Sequence, residues 1–106
     1  MISATILHEA EVELWEAVAY YEEQSAGLGL DFEAEIEKTI QTIRHFPECC
    51  SLREDDTRRC LTHRFPYLIV YTYRKDHVWI VAFAHCKRKP GYWQNRLKAA
   101  EQADER

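Results

Sequence analysis

The first half of the chain alternates between short extended and long helical patterns of apolar residues. Ser3–Leu7 is a candidate for a short first strand. Over residues 9–25, apolar residues recur three or four positions apart, which is the spacing of one face of a helix. They are Ala10, Leu14, Ala17, Val18 and Tyr21. The pattern therefore predicts a strand followed by an amphipathic helix whose acidic residues lie mostly on the other faces.

A second helix is predicted immediately after the first. The segment Ala26-Gly27-Leu28-Gly29 ends the first helix, because glycine readily adopts the left-handed conformation favoured at a helix C-terminus. The second apolar stripe ends near Phe46-Pro47 and comprises Leu28, Phe32, Ile36, Ile40 and Ile43. Two helices joined by so short a turn are expected to pack antiparallel as a hairpin.

After Pro47 the pattern becomes that of loops and strands. Cys49–Thr57 is polar and predicts a loop, and Phe65-Pro66 predicts a turn or strand edge. The three strand candidates are Arg58–His63, Tyr67–Tyr73, which is rich in β-branched and aromatic residues, and Val78–His85. A four-residue connection, Arg74-Lys75-Asp76-His77, joins the last two as a hairpin. Residues 91–100 favour a short C-terminal helix, and the last six are expected to fray.

The element order predicts an α+β fold, β-α-α-β-β-β, with the helical hairpin packed on a small, mainly antiparallel sheet. Residues 1–106 are expected to form a single domain, with a core over about residues 3–96 and a tail over 97–106. Neither a repeat nor a Pro/Ser-rich linker interrupts the chain. A chain of 106 residues is long enough to bury roughly 60–68% of its unfolded surface without a metal or crosslink.

Composition indicates a globular protein, with 46% hydrophobic and 30% charged residues. No apolar run approaches the roughly 20 residues of a membrane span, and the segment Met1–Thr5 does not resemble a signal peptide. We therefore expect a cytoplasmic protein. In that reducing compartment the four cysteines are expected to be free thiols; they are Cys49, Cys50, Cys60 and Cys86.

Charge is segregated along the sequence, although the net charge is only −4. Residues 1–50 carry eleven acids against Lys38 and Arg44, and residues 57–100 carry ten cations against Asp76 alone. The basic half is the one to examine for an anionic partner. The helix glutamates are expected to be solvated, and Trp15, Trp79 and Tyr71 are expected to lie in or beside the core.

The segment after the last strand has the highest concentration of candidate functional side chains. The segment from His85 to Trp93 supplies an imidazole, the cations Lys87, Arg88 and Lys89, and two aromatic rings. An imidazole transfers protons near neutral pH, cations bind phosphate, and aromatic side chains stack on bases or fill a partner's pocket. A catalytic or recognition site is therefore predicted here.

Several local motifs together resemble the RelE/ParE-type toxin superfamily of type II toxin–antitoxin modules, some of which are labelled plasmid stabilisation proteins. The resemblance covers about residues 3–96. It rests on the order and spacing of Tyr20-Tyr21-Glu22-Glu23-Gln24, Gly27-Leu28-Gly29, Phe32, Phe46-Pro47, Phe65-Pro66-Tyr67 and the segment from His85 through Trp93. It implies the α+β fold predicted above and a cognate antitoxin protein that binds and neutralises the toxin as a hetero-oligomer.

The superfamily has two main branches, and shared fold does not determine the target. RelE-like members cleave mRNA on the ribosome, and ParE-like members poison DNA gyrase. For a RelE-like activity, His85, Arg88 and Tyr92 are the catalytic candidates, because cleavage by a 2′-hydroxyl needs a base, a cation and an acid. Pro90-Gly91 precedes Tyr92 and changes its geometry relative to that pattern.

For a ParE-like activity, the same region needs only to be a surface that contacts a protein. The proposed target- or antitoxin-binding residues are Arg59, Arg64, Lys87, Lys89 and Trp93, with Tyr92 and Trp93 taken as exposed. The net acidity of the chain and the motifs Phe65-Pro66-Tyr67 and Tyr20-Tyr21 favour this branch. A RelE-like nuclease and a non-toxic copy that only binds an antitoxin remain the alternatives.

Each candidate also has a structural interpretation. His85 can simply bond a backbone carbonyl at a strand end, and Trp93 can pack the C-terminal segment onto the sheet. Arg58, Arg59 and Arg64 can be solvated edge charges. No metal site is expected from Cys60, His63, His85 and Cys86. Side chains alternate between the faces of a strand, so Cys60 and His63 are expected on opposite faces, and likewise His85 and Cys86. Neither a phosphate-binding glycine loop nor a nucleophile elbow occurs, so no cofactor is expected.

Overall fold

The computed structural model describes residues 1–98 and confirms the predicted element order. The elements are strand β1 (Ser3–Ile6), helix α1 (His8–Gln24), helix α2 (Leu28–His45), and strands β2 (Arg58–Leu61), β3 (Tyr67–Arg74) and β4 (His77–His85). Residues 94–98 form a short helical turn. The end of the predicted C-terminal helix and the predicted fraying of the last six residues lie outside the described residues.

The four strands form one mixed sheet in the order β1-β4-β3-β2. β2, β3 and β4 pair antiparallel, whereas β1 pairs parallel with β4, so that Ser3 lies opposite His77. Across β3 and β4, Val70 pairs with Ala82 but Tyr71 pairs with Ile80. The extra residue in β4 is Val81, a β-bulge that places two consecutive residues on the same face of the sheet.

The helical hairpin forms where the apolar stripes predicted it. Gly27 has a φ of 87°, which only glycine adopts without strain. The Glu22 carboxylate accepts hydrogen bonds from the N–H groups of Gly27 (2.9 Å) and Gly29 (3.0 Å), which satisfies donors left free at the start of α2. At Gly29, a Cβ would lie 2.6 Å from the Val18 carbonyl oxygen, so the two helices approach too closely for any side chain.

The sheet is covered on both faces. One face packs against the helical hairpin around Phe32, Ile36, Ile43 and Tyr71. The other face carries Val70, Val81, Ala82 and Ala84, and the C-terminal segment covers it through Trp93. The segment after β4 is therefore a structural layer that returns across the sheet and positions the candidate residues.

Two local predictions about the strands and their connection differ from the structure. β2 ends at Leu61 rather than His63, because the Thr62 hydroxyl turns inward to the carbonyl oxygens of Phe65 (3.0 Å) and Tyr67 (3.1 Å). The β3–β4 connection has two residues rather than four. Lys75 and Asp76 both have positive φ, the geometry that matches the twist of a hairpin.

The expected burial of Trp15 is wrong, because its side chain is 51% exposed on α1. It lies one position beyond Leu14 and therefore about 100° around the helix from the apolar stripe. Trp79 is half-buried and Tyr71 is fully buried, as expected.

The expectation of four free thiols is also wrong. Cys50 and Cys60 form a disulfide between the loop after α2 and β2, with their Cα atoms 5.9 Å apart. Sequence alone does not place that loop against β2, because the contact depends on how the sheet packs on α2. Cys49 and Cys86 are free and exposed. No helix within residues 1–98 combines the length and apolar character needed to cross a membrane.

Candidate functional site

The candidate site begins at the end of β4, where the chain leaves the sheet. The His85 ring packs edge-on against Tyr67, with ring centroids 5.3 Å apart. Its Nδ1 accepts a hydrogen bond from the Lys87 backbone N–H at 3.0 Å. His85 thus organises the first turn of the segment, although its ring accepts from a backbone N–H rather than bonding the backbone carbonyl that its structural interpretation expected.

Arg88 lies on the outside of this segment and is stacked on Tyr92. The guanidinium carbon is 3.5 Å from the Tyr92 ring centroid, and Nη1 is 3.3 Å from a carboxylate oxygen of Glu13. The arginine remains 54% exposed. The guanidinium therefore contacts Tyr92 and Glu13 on one side and remains accessible to solvent on the other.

Glu13 is the centre of the site, although sequence analysis treated it as a solvated helix charge. Its side chain is only 13% exposed. It accepts hydrogen bonds from the Tyr92 hydroxyl (2.5 Å), Arg96 Nη1 (2.7 Å) and the Phe83 backbone N–H (3.2 Å), as well as from Arg88. One side chain of α1 therefore fastens β4 and the C-terminal segment together.

The spacing of the apolar residues in α1 contained a signal that Glu13 faces inward. The residue lies three positions after Ala10 and four before Ala17, which are both buried, so it falls on the apolar stripe of α1. An acid on an inward-facing stripe needs a buried partner. Arg96 supplies that partner and was likewise not predicted as a site residue.

The Tyr92 hydroxyl donates its hydrogen bond to the Glu13 carboxylate. Burial raises the pKa of Tyr92, and the hydrogen bond to Glu13 raises it further. At neutral pH the phenol is therefore protonated and its proton is held by an internal carboxylate. In this geometry Tyr92 joins the segment after β4 to α1.

A second carboxylate, Asp55, anchors the same segment further along. It accepts hydrogen bonds from Trp93 Nε1 (3.3 Å), Gln94 Nε2 (3.1 Å) and the Thr57 hydroxyl (2.5 Å), and it pairs with Arg59 at 3.5 Å. Burial alone would raise the pKa of Asp55. The hydrogen bonds from Thr57 and Trp93, together with Arg59, hold it below its ordinary value.

The expectation that Trp93 is an exposed contact is wrong, since it is only 1% exposed. It packs on the sheet beneath the guanidinium of Arg59, whose central carbon is 4.8 Å from the ring centroid. Arg59 is itself largely buried and paired with Asp55. These two residues hold the C-terminal layer in place, which is the structural role considered for Trp93.

The remaining predicted cations are more accessible. Arg64 is exposed in the turn after β2, where it has a left-handed backbone and lies 3.6 Å from Asp31. Lys87 and Lys89 are exposed, and neither forms an ion pair within residues 1–98. Together with Arg88 they form a basic ridge, defined here as Lys87, Arg88 and Lys89.

An open groove of about 350 Å³ separates this ridge from α1. Its lining brings His85 and Arg88 together with Tyr67, Glu13 and Glu16. Tyr92 does not line it. Of the three catalytic candidates, the structure therefore places two in one groove, accompanied by two carboxylates, and turns the third toward Glu13.

Residues 5–90 match the family described as ParE toxin of the type II toxin–antitoxin system parDE. This chain is a member of the ParE toxin family. The match covers the helical hairpin, the last two residues of β1, the strands β2, β3 and β4, and the segment from His85 to Lys89. No curated protein matches the chain. A ParE-family toxin is half of a module, so a cognate antitoxin is its partner, and the fold expected from the RelE/ParE resemblance is confirmed.

Proposed function

We propose that this ParE-family toxin acts by inhibiting DNA gyrase through a protein–protein contact, and that its antitoxin blocks that contact. The proposal places the protein in the cytoplasm, where gyrase acts. The single observation that carries it is the Glu13 carboxylate among the candidate catalytic groups, bonded to Tyr92, Arg88 and Arg96.

An internal carboxylate at this position opposes phosphate chemistry. Cleavage of RNA needs a cation free to stabilise the negative charge that develops on the phosphorus. Here Arg96 is buried against Glu13, and Arg88 shares the same oxygen as the Tyr92 hydroxyl. The groove also contains Glu16, and like charges repel a phosphate backbone.

A protein–protein contact does not require a cation that is free to stabilise charge on a phosphate. On the basic ridge Lys87 and Lys89 are exposed, and Arg88 is partly exposed although it pairs with Glu13. Arginine and tyrosine, which are stacked here as Arg88 on Tyr92, are common anchors at protein interfaces. The net charge of −4 does not oppose a protein target, whereas it does weaken binding to ribosomal RNA.

The RelE-like alternative has one observation in its favour, namely that His85 and Arg88 line the same groove. An imidazole and a guanidinium are two of the three groups that 2′-hydroxyl cleavage uses. RNA cleavage would then have to proceed without Tyr92, unless the Tyr92 hydroxyl breaks its hydrogen bond to Glu13.

The deciding experiment compares two assays with the same purified chain: inhibition of gyrase supercoiling, and ribosome-dependent cleavage of an mRNA. We expect inhibition of supercoiling and an intact mRNA. The double variant Lys87→Ala/Lys89→Ala should weaken inhibition at least tenfold, which corresponds to the loss of about 1.4 kcal/mol of binding energy.

Lys38→Ala is the matched control, because it removes an exposed lysine from α2 rather than from the basic ridge. It should leave the inhibition unchanged. Cleavage of the mRNA with gyrase unaffected would overturn the proposal in favour of the nuclease. Activity in neither assay would overturn it in favour of a non-toxic, antitoxin-binding copy.

A further inference from the structure

Three cysteines converge at the loop between α2 and β2. The sulfur atoms of Cys49, Cys50 and Cys60 all lie within 4.8 Å of one another. Cys50 and Cys60 form the disulfide, and the free Sγ of Cys49 lies 3.8 Å from the Sγ of Cys60. This cluster differs from the set weighed in the sequence, Cys60, His63, His85 and Cys86, which does not form a group of metal ligands within residues 1–98.

The cluster is held by more than its disulfide. The Tyr71 hydroxyl donates a hydrogen bond to the Pro47 carbonyl oxygen at 2.8 Å, and Arg58 Nη1 donates to the Cys50 carbonyl oxygen at 2.7 Å. Cys60 is fixed in β2 opposite Ile69. Because these bonds position the loop against the sheet independently of the sulfurs, the three cysteines should remain neighbours after the disulfide is reduced.

The spacing suits a thiolate-bound metal ion. Zinc–sulfur bonds are about 2.3 Å long, which sets two sulfurs of a tetrahedral site about 3.8 Å apart. Cys49 and Cys60 already have this separation. The sulfurs open onto a groove of about 370 Å³ that is also lined by His63 and Lys38. An imidazole is a common fourth zinc ligand.

We propose that Cys49, Cys50 and Cys60 form a zinc-binding site that is available only when the disulfide is reduced. A dithiol reductant transfers two electrons and two protons to the Cys50–Cys60 bond, which yields two thiols and the oxidised, cyclic reductant. Zn²⁺ then replaces the protons of three thiols. His63 or water takes the fourth position, and the disulfide and the metal exclude each other.

The site would connect redox state to the stability of the sheet edge. β2 is bonded to a single neighbouring strand, and the loop before it is irregular. Either the disulfide or the metal joins this edge to the loop after α2. The reduced, metal-free chain has neither connection and is therefore the form in which this region opens most easily.

Cobalt(II) titration tests the proposal, because thiolate ligands give Co²⁺ an intense charge-transfer absorption. The chain is reduced with a dithiol, separated from it under argon and titrated with Co²⁺, followed by competition with Zn²⁺. We expect one Co²⁺ per chain, displaced by Zn²⁺, and no absorption from the oxidised chain.

Two single-cysteine variants serve as a matched pair. Cys49→Ser should lower the affinity at least tenfold, and it preserves the Cys50–Cys60 disulfide, so its fold can be verified in the oxidised form. Cys86→Ser removes the other exposed free thiol, which lies outside the cluster, and should bind as the unmodified chain does. The proposal is overturned by the absence of thiolate absorption, by equal affinity of Cys49→Ser, by equal loss in Cys86→Ser, or by binding to the oxidised chain.

Discussion

Two acidic side chains, Glu13 and Asp55, do most to position the residues after β4. Each is largely buried, and each accepts hydrogen bonds from the C-terminal segment through an aromatic residue, Tyr92 or Trp93. Hydrogen bonds to charged groups contribute about 1.5–3 kcal/mol, more than neutral ones. The aromatic residues of the candidate site are therefore held by two carboxylates. Sequence analysis expected Glu13 to be solvated and did not single out Asp55.

Replacing Glu13 by Gln tests this role directly. The amide removes the charge that compensates Arg96 and Arg88, so we expect the free energy of unfolding in urea to fall by about 2–3 kcal/mol. Glu16→Gln is the matched control, since Glu16 is an exposed acid of the same helix, and it should cost less than about 0.5 kcal/mol. Equal effects of the two changes would show that Glu13 is not a special anchor.

Asp55 predicts a pH dependence of stability. Its pKa is lower in the folded protein than in the unfolded chain, so its contribution is present above the unfolded pKa, about 4, and is lost as pH falls through the folded value. Asp55→Asn should lower the free energy of unfolding by about 1–2 kcal/mol at pH 7 and make the loss of stability below about pH 4 shallower.

Urea unfolding at a series of pH values measures both effects. Asp56→Asn, at the neighbouring carboxylate that is about half exposed, is expected to cost less at pH 7. An unchanged acid profile for Asp55→Asn would contradict the assignment of Asp55 as the group responsible.

Some residues of the candidate site could be predicted from the sequence and others could not. His85, Lys87, Arg88 and Lys89 were identified because they follow an obvious strand. Glu13, Asp55 and Arg96 were not, since a charged residue acquires a structural role only through partners that are distant in sequence. Glu13 and Arg96 are separated by 83 positions.

At the scale of elements, the helical hairpin was the most predictable part. The apolar stripe of α2 is the buried face found in the structure, from Phe32 to Ile43. Periodicity reports which face is buried, but not what it is buried against. The parallel pairing of β1 with β4, the Val81 bulge and the Cys50–Cys60 disulfide depend on tertiary packing, which explains why none of them was predicted.

The close approach of the two helices predicts that a substitution at Gly29 destabilises the protein. Alanine normally stabilises a helix relative to glycine by about 1 kcal/mol. At this position, however, the new methyl group would meet the Val18 carbonyl oxygen at 2.6 Å and Glu22 at 3.0 Å. We therefore expect Gly29→Ala to lower the free energy of unfolding by about 1–3 kcal/mol, measured in urea.

Gly27→Ala separates crowding from backbone strain. A Cβ at Gly27 meets nothing within 4 Å, so this change tests only the cost of a left-handed alanine, about 1–2 kcal/mol. A stabilising effect of Gly29→Ala would show that the helices can move apart without penalty.

At the scale of the whole molecule, the charge segregation of the sequence is partly cancelled by folding. Acids of the first half bind cations of the second half, as in Glu13 with Arg96 and Asp31 with Arg64. The basic surface is therefore smaller than the +9 of residues 57–100 suggests. The basic ridge is what remains of it after β4, and it is the region we assign to the target.

The exposed face of α1 provides a separate apolar surface around Val12 and Trp15. An exposed tryptophan is unusual on a small protein and common at the centre of an interface. We propose that the antitoxin binds this surface of α1 in addition to covering the basic ridge, where it blocks the contact with gyrase. Trp15→Ala should weaken antitoxin binding at least tenfold by calorimetry while leaving gyrase inhibition unchanged.

Leu30→Ala is the control for this change, because Leu30 is a more exposed apolar residue, 69% exposed, on α2. It should bind the antitoxin with unchanged affinity. Loss of gyrase inhibition in Trp15→Ala, with antitoxin affinity retained, would assign this surface of α1 to the target instead.

The parallel pairing of β1 with β4 also has a consequence for synthesis of the toxin. Ser3 leaves the ribosome early, but its partner His77 is made 74 residues later. At 5–20 residues per second this delay is about 4–15 s. Through that interval the nascent chain can form the helical hairpin but not the closed sheet. A chain that terminates before β4 thus lacks the strand that joins the first residues to the rest, so β4 must be synthesised before the closed sheet of the toxin can form.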